Sequence, residues 1–174
     1  MAITTRTSFP ETAMEKKDKE ALAEEAYRKA REYELNYGCC PQCVLVTAQE
    51  TIGLVEDATI KASHGLAGGG GLTGQGTCGA LAGGLMALSA KRGRDRDKFD
   101  GKNPFISNFK KGRELVERFE ETFGGVTCEA LQQTFTGHTY DMWREEGYKA
   151  FKEARGEKCG HVTGMVAKWV VEMS

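Results

Sequence analysis

Apolar residues recur at helical spacing near the start of the chain. The recurring positions, which lie among Glu, Lys and Arg residues, are Leu22, Ala26, Ala30, Tyr33 and Tyr37. Steps of three and four residues place such side chains on one face of a helix. The pattern predicts a surface helix from about Thr12 to Tyr37, with Gly38 as its end.

The same spacing returns in the second half of the chain. A helix after Pro104 is indicated by Phe105, Phe109, Leu115, Phe119 and Phe123, and it ends at Gly124. The last helix has a broad apolar face made of Val162, Met165, Val166, Trp169, Val170 and Met173. No alternating run of β-branched or aromatic residues is long enough to predict a strand. We therefore predict an all-α protein, a compact helical bundle that forms one domain over residues 1–174, with residues 1–11 as a flexible or extended segment.

Glycine interrupts the helical pattern in the middle of the chain. Residues 65–84 contain ten glycines, and each glycine costs about 1 kcal/mol relative to alanine inside a helix. We expect a glycine-rich loop here that leads into a central helix near Cys78. A charged, solvated loop is expected over residues 93–103. Residues 140–156 are interpreted either as one more helix or as a partly ordered insertion.

The charge balance of the chain limits the classes of partner that it is expected to bind. The chain has 24 Lys and Arg against 25 Asp and Glu, with a net charge of −1, so no general field attracts nucleic acid or an anionic membrane. No apolar run approaches the roughly 20 residues that cross a bilayer, and the N-terminus lacks the apolar core of a secretory signal. We expect a cytoplasmic protein. Only four charged residues fall within residues 39–90, which predicts that this stretch forms the buried core.

The six cysteines carry the candidate chemistry. In a reducing compartment, cysteines indicate metal ligands, redox thiols or buried apolar residues before they indicate disulfides. Four are predicted at helix N-termini: Cys40, Cys78, Cys128 and Cys159. The free N–H groups and partial positive charge of a helix start favour thiolate over thiol. If the fold gathers these four helix starts, they form a metal site with four sulfur ligands, and the alternative is four separate buried thiols.

Cys40 and Cys43 also form a Cys-x-x-Cys motif, which is the arrangement used for thiol–disulfide exchange. A helix precedes this motif, whereas a strand is expected in a thioredoxin-type domain. Val44 stands where a c-type haem motif has histidine. Cys39 and Cys43 are therefore candidates either for cofactor binding beside the four-sulfur site or for a separate redox role.

The segment from Gly74 to Gly79 matches Gly-x-Gly-x-x-Gly, but no apolar strand leads into it, as a dinucleotide-binding turn requires. Gly76 and Gly79 are instead candidate cofactor-binding residues. Glycine lets the backbone come close, and free N–H groups at a helix start suit an anion or a thiolate-bound metal. His161 is either a neighbour of this site or an ordinary imidazole of the surface or core.

The segment Gly76-Thr77-Cys78-Gly79-Ala80-Leu81-Ala82-Gly83 stands between Cys40 and the pair Cys128 and Cys159. This arrangement resembles the redox-active protein family named for its C…GCAxxG…C…C pattern, and the likeness runs from about Tyr27 to Met173. By this resemblance Cys40, Cys78, Cys128 and Cys159 match the four cysteines of the family. It implies a small helical redox module that binds an iron–sulfur cluster. Cys39 and Cys43 are additional to that pattern.

The resemblance also implies one-electron transfer to a redox partner protein, since a related module is joined to multihaem cytochromes of anaerobic bacteria. Four cysteines fit a [2Fe–2S] or a [4Fe–4S] cluster equally. Zinc is the alternative metal, because a site made of thiolates alone binds either zinc or iron. Two other hypotheses stay open: a thiol–disulfide oxidoreductase using Cys40 and Cys43, and a structural zinc-binding module. We expect no nucleic-acid or membrane partner, and a homodimer is left open.

Overall fold

The computed structural model describes residues 13–100 and 106–174, with side chains from Lys16 onward in the first range. Its α-helices are α1 (Ala13–Asn36), α2 (Cys40–Ile52), α3 (Asp57–Ala62), α4 (Gly79–Arg92), α5 (Ile106–Phe123), α6 (Cys128–Thr136), α7 (Glu145–Arg155) and α8 (Lys158–Met173). Short 3₁₀ turns cover Ser63–Leu66 and Arg96–Lys98. In these two ranges the β-type pairing is an isolated bridge between Thr77 and Thr127. The all-α prediction is confirmed, whereas the predictions for residues 1–11 and Phe105 lie outside the described residues.

Helix α1 packs along α8 through small residues. Its buried stripe is Ala23, Ala26, Ala30 and Glu34, and Ala167 and Val171 of α8 pack against the alanines. A Cβ on Gly164 of α8 would lie 2.7 Å from the backbone oxygen of Tyr27, so the two helices are in backbone contact. The predicted apolar stripe is therefore wrong at its C-terminal end, because Tyr37 is 79% exposed and Glu34 takes the buried position.

The main core lies between α2, α4, α5 and α8. Its largest fully buried side chains include Trp169, Phe119, Leu45, Leu81, Leu88 and Leu115. Burying one such side chain contributes about 1.5–3 kcal/mol, so this cluster is the main source of stability. Phe109 was predicted on the apolar face of α5, but it is 65% exposed. In this part of α5 the side chain that meets α4 is Asn108, whose Nδ2 donates to the Ser89 hydroxyl at 3.2 Å.

The stretch of low charge holds the two central helices, α2 and α4, as predicted. Its middle part does not follow the prediction. His64 and two of the loop glycines, Gly65 and Gly71, are exposed, so a low content of charged residues does not mean burial where the residues are glycines of a loop. Residues 140–156 contain α7, so the helical alternative is confirmed there.

Within the described ranges, no helix combines the length and the apolar character needed to cross a membrane.

Helices α2 and α4 touch at Gly83. A Cβ built on Gly83 would lie 2.7 Å from the backbone oxygen of Pro41 and 2.9 Å from its Cα. Because both contacts are with backbone, the helices must separate to admit a methyl group. This close approach holds the start of α2, which carries Cys40, beside the start of α4.

Gly83→Ala is expected to lower the free energy of unfolding by at least about 1 kcal/mol, since overpacking costs about 1–3 kcal/mol and outweighs the gain in helix propensity. Urea unfolding measures the change. Gly65→Ala is the matched control, because nothing lies within 4 Å of a Cβ at Gly65 and it should change stability by less than about 0.5 kcal/mol. Equal stability of the two variants would show that the α2–α4 contact does not constrain the fold.

Candidate metal centre

Each of the four predicted cysteines lies at the start of a helix. Cys40 is the first residue of α2 and Cys128 the first residue of α6. Cys78 is the residue that precedes α4, and Cys159 is the second residue of α8. All six cysteines of the chain are free thiols. The prediction that these four residues mark helix N-termini is therefore confirmed.

The four helix starts open onto one cavity, here called the cysteine cavity. Its wall contains Cys40, Cys78, Cys128 and Cys159 together with Cys39, and the cavity has a volume of about 80 Å³. One water molecule needs about 10–15 Å³ on this measure, so the cavity has room for a group of several atoms. Among the described residues, no three His, Cys, Asp or Glu side chains are arranged to hold a single metal ion.

The glycine loop fixes the relation between Cys78 and Cys128. The backbone N–H of Cys78 donates to the carbonyl of Val126 at 2.7 Å, and that of Cys128 donates to the carbonyl of Gly76 at 3.1 Å. These two hydrogen bonds flank the Thr77–Thr127 bridge, so the starts of α4 and α6 are tied together. Thr127 caps α6 by accepting a hydrogen bond from the N–H of Ala130 at 3.2 Å.

The loop itself is closed by its own backbone. Gly68 to Gly71 all have positive φ, between 55° and 79°, a region that only glycine enters at little cost. The N–H of Gly76 donates to the carbonyl of Gly69 at 2.9 Å, and a Cβ on Gly76 would lie 2.5 Å from that oxygen. Gly76 thus packs inside the loop and does not line the cavity.

Gly79 lies in the cavity wall beside Cys40. A Cβ at this position would lie 2.6 Å from the Cys40 sulfur and 2.9 Å from Cδ of Pro41. The absence of a side chain at Gly79 is therefore what allows the first residues of α2 and α4 to meet.

Burial dominates the acidity of these thiols. It raises the pKa of Cys78 to about 12 and that of Cys159 to about 11, and it also raises the pKa of Cys40 and Cys128. Neighbouring sulfurs raise several of these pKa values further, while the N–H groups of Ala80 and Leu81 lower that of Cys78. The expectation that helix ends favour thiolate is wrong for the metal-free protein, because desolvation outweighs the helix ends.

Two charged residues in the cavity wall were not anticipated. Glu34 of α1 and Arg155 of α7 form an ion pair, with 3.3 Å between Oε1 and Nη1, and each side chain is only 7% exposed. Burial raises the pKa of Glu34, and Arg155 opposes that rise. A sequence signal exists for both residues, since Glu34 continues the stripe of Ala26 and Ala30, and Arg155 follows Phe151 at helical spacing.

Helix α7 and the segment before it cover one side of the cavity. Gln132 of α6 is buried, and its Nε2 lies 3.5 Å from the Cys128 sulfur and 3.8 Å from the sulfur of Met142. Its Oε1 accepts a hydrogen bond from the N–H of Tyr140 at 2.9 Å. Gln132 therefore joins the cysteine of α6 to the covering segment, whose Met142 and Phe151 are buried in the cavity wall.

The two additional cysteines differ in position. Cys39 lies in the cavity wall, is half-buried, and has a positive φ of 64°. Cys43 is buried outside the cavity lining and donates to the carbonyl of Gly38 at 3.0 Å.

His161 also lies away from the cavity, with Nδ1 2.9 Å from the Tyr27 hydroxyl. Of the four candidate cofactor-binding residues, Cys39 and Gly79 are in the wall and Gly76 and Cys43 are not.

A family model described as "Putative redox-active protein (C_GCAxxG_C_C)" matches residues 38–173. The chain belongs to this family. The matched range contains all six cysteines and helices α2 to α8, whereas Glu34 lies before it. No curated protein and no solved structure matches the chain. Membership in the redox-active family agrees with a site built from thiols.

Proposed function

We propose that this member of the redox-active family binds an iron–sulfur cluster in the cysteine cavity and carries single electrons between redox proteins. The observation that carries the proposal is the meeting of Cys40, Cys78, Cys128 and Cys159 around one cavity, from four helices far apart in the sequence. Thiolates are the ligands that hold iron–sulfur clusters in proteins.

The size of the cavity supports a cluster over a single ion. Four thiolates around one zinc ion lie about 2.3 Å from it and leave no space between them. The cysteine cavity has a volume of about 80 Å³ and is open on one side, and among the described residues no three His, Cys, Asp or Glu side chains are arranged to hold a single ion. A cluster bound there supplies a centre that takes up and releases one electron without breaking a bond.

The residues of the chain have separate roles in this proposal. The four cysteines are the ligands, and each must lose its proton on binding, which the burial-raised thiol pKa values make costly in the absence of iron. The N–H groups of Ala80 and Leu81 near the Cys78 sulfur stabilise negative charge on it. Apolar side chains such as Leu131, Phe135 and Phe151 limit the access of water.

The cysteine cavity opens at the protein surface, and an electron can enter and leave through this opening. Tyr148 belongs to the cavity wall and is 41% exposed, and Cys39 in the same wall is half-buried. The donor and the acceptor are then a reduced and an oxidised redox protein that bind near this opening. A redox partner protein remains a prediction, and a homodimer remains an open alternative.

Metal analysis of the native protein tests the proposal. The protein is purified without oxygen, and its visible spectrum, iron, zinc and acid-labile sulfide are measured. We expect a coloured protein with iron and sulfide in equal amounts. Stoichiometric zinc without colour would contradict the proposal and support a structural zinc module. A metal-free protein with a titratable Cys40–Cys43 disulfide would contradict it in favour of thiol–disulfide exchange.

Gly79→Ala is expected to reduce the iron content to less than about one tenth of the native value while leaving the helical circular dichroism unchanged. The added methyl group displaces the Cys40 sulfur, which would otherwise lie 2.6 Å from it. Gly65→Ala, which has open space around its Cβ, should retain native iron content. If Gly79→Ala retains the native iron content, the position of the Cys40 sulfur is not needed for iron binding.

A further inference from the structure

The buried ion pair between Glu34 and Arg155 is a costly way to join two helices. Each ion loses several kcal/mol of hydration on burial, and replacing such a pair by apolar residues is often neutral or stabilising. Both residues lie in the wall of the cysteine cavity, next to the sulfurs. The pair also joins α1, at the edge of the family match, to α7, which covers the cavity.

The contacts of the two residues are unequal. The Arg155 side chain approaches the Cys159 sulfur closely enough to lower the pKa of that thiol. Its Nη1 atom is fully buried and, among the described residues, donates no hydrogen bond of acceptable geometry, although the Glu34 carboxylate lies 3.3 Å away. Glu34 is turned partly toward Cys43, whose sulfur lies 3.8 Å from Oε2. Arg155 is thus the charge that acts most on the Cys159 sulfur, whereas Glu34 acts more on Cys40 and Cys128. The Nη1 of Arg155 is paired with Glu34 by charge but makes no hydrogen bond.

A buried guanidinium whose Nη1 makes no hydrogen bond, in the same cavity wall as Cys159, suits an acceptor that carries negative charge. A cluster held by four thiolates gains one negative charge on reduction, and charges and hydrogen bonds around such a cluster set its reduction potential. We propose that Arg155 raises the reduction potential of the centre held by the four cysteines, and that Glu34 holds Arg155 in place and offsets part of its charge. This inference rests on the proposed function.

The balance of the redox step is simple. One electron passes from the reductant to the metal centre, and no covalent bond of the protein forms or breaks. The guanidinium stays protonated in both states, because arginine does not lose its proton in proteins. Its positive charge lowers the energy of the more negative, reduced state relative to the oxidised state.

Reduction potentials of the native protein and of five variants test the inference. Each anaerobically purified protein is titrated with dithionite in the presence of mediator dyes, and visible absorbance is followed. Glu34→Gln, which leaves the cation unopposed, should raise the potential. The double variant Glu34→Gln and Arg155→Gln removes the cation without leaving a buried carboxylate. Its equilibrium constant for reduction should be at least tenfold lower than that of the single variant Glu34→Gln. For a one-electron couple, tenfold corresponds to about 59 mV.

Glu172→Gln is the matched control, because it breaks an ion pair with Arg118 away from the cavity and should leave the potential unchanged. Arg155→Lys keeps the charge and should stay closer to the native potential than Arg155→Gln. A purely structural pair would alter unfolding but not the potential. If Glu34→Gln fails to hold iron, the double variant is compared with the native protein and should still have the lower potential.

The outcomes separate the two proposals. Absence of iron and sulfide from the native protein contradicts the proposed function. Iron and sulfide in every variant with equal potentials overturns the role of Arg155 and leaves the proposed function intact. A higher potential in the double variant than in the native protein also overturns it.

Discussion

Cys78→Ala is expected to abolish cluster binding, with iron and sulfide falling below about one tenth of the native content and the visible colour lost. Cys78 is the most buried of the four cavity cysteines, with 7% of its surface exposed, and its sulfur faces the cavity from the start of α4. Cys39 lies in the same wall but precedes α2, and Cys43 lies outside the cavity lining, so neither occupies the start of α4. Iron, sulfide and absorbance of the anaerobically purified variant are measured.

Cys43→Ala is the matched control for this substitution. Cys43 is equally buried, with 4% exposed, but it lies outside the cavity lining. Both substitutions remove one buried sulfur and leave a cavity of similar size, so a loss caused by general destabilisation would affect both variants. Retention of the cluster in Cys78→Ala, or its loss from Cys43→Ala, would contradict the assigned ligands.

The metal-free protein is expected to lose at least about 2–3 kcal/mol of stability between pH 8 and pH 10, the part that Cys78 and Cys159 contribute. Burial raises the pKa of Cys78 to about 12 and that of Cys159 to about 11 in the folded protein, from a value of 9.0. Above pH 9 the unfolded chain therefore releases protons that the folded chain retains, and stability falls as pH rises. Each thiol contributes about 1.4 kcal/mol per pH unit in this window.

Urea unfolding of the reduced, chelator-treated protein at both pH values measures this loss. Tyrosine and lysine also titrate near pH 10, so the double variant Cys78→Ala and Cys159→Ala is the control. Its stability should fall by about 2–3 kcal/mol less than that of the native chain. An identical pH dependence in both proteins would show that these thiols ionise normally in the folded state.

The helices and the positions of the four cavity cysteines could be predicted from the sequence. Apolar residues at steps of three and four specify α5 and α8 locally, and a glycine or proline beside a cysteine marks a helix boundary. For this reason Cys40, Cys78, Cys128 and Cys159 could each be placed at a helix start. That these starts share a cavity depends on contacts such as Gly83 with Pro41, which join residues remote in the sequence and leave no periodic signal.

The charges of the site could not be predicted in the same way. Glu34 and Arg155 are ordinary residues of charged helices until the packing of α1 on α8 and of α7 over the cavity buries them. Burial also reverses the expected acidity of the thiols, because desolvation depends on the whole surrounding structure and the helix-end effect on the first turn alone. The exposure of Tyr37 and Phe109 likewise depends on how the helices pack, which the spacing of apolar residues does not specify.

X-ray absorption at the iron edge of the Cys39→Ala and Cys43→Ala double variant identifies the atoms that bind the iron. This variant keeps four thiols, Cys40, Cys78, Cys128 and Cys159. The account predicts the native amount of iron, surrounded by sulfur alone, with a second iron atom nearby. Loss of the iron, or nitrogen or oxygen among its ligands, would show that these four cysteines do not suffice to bind the cluster.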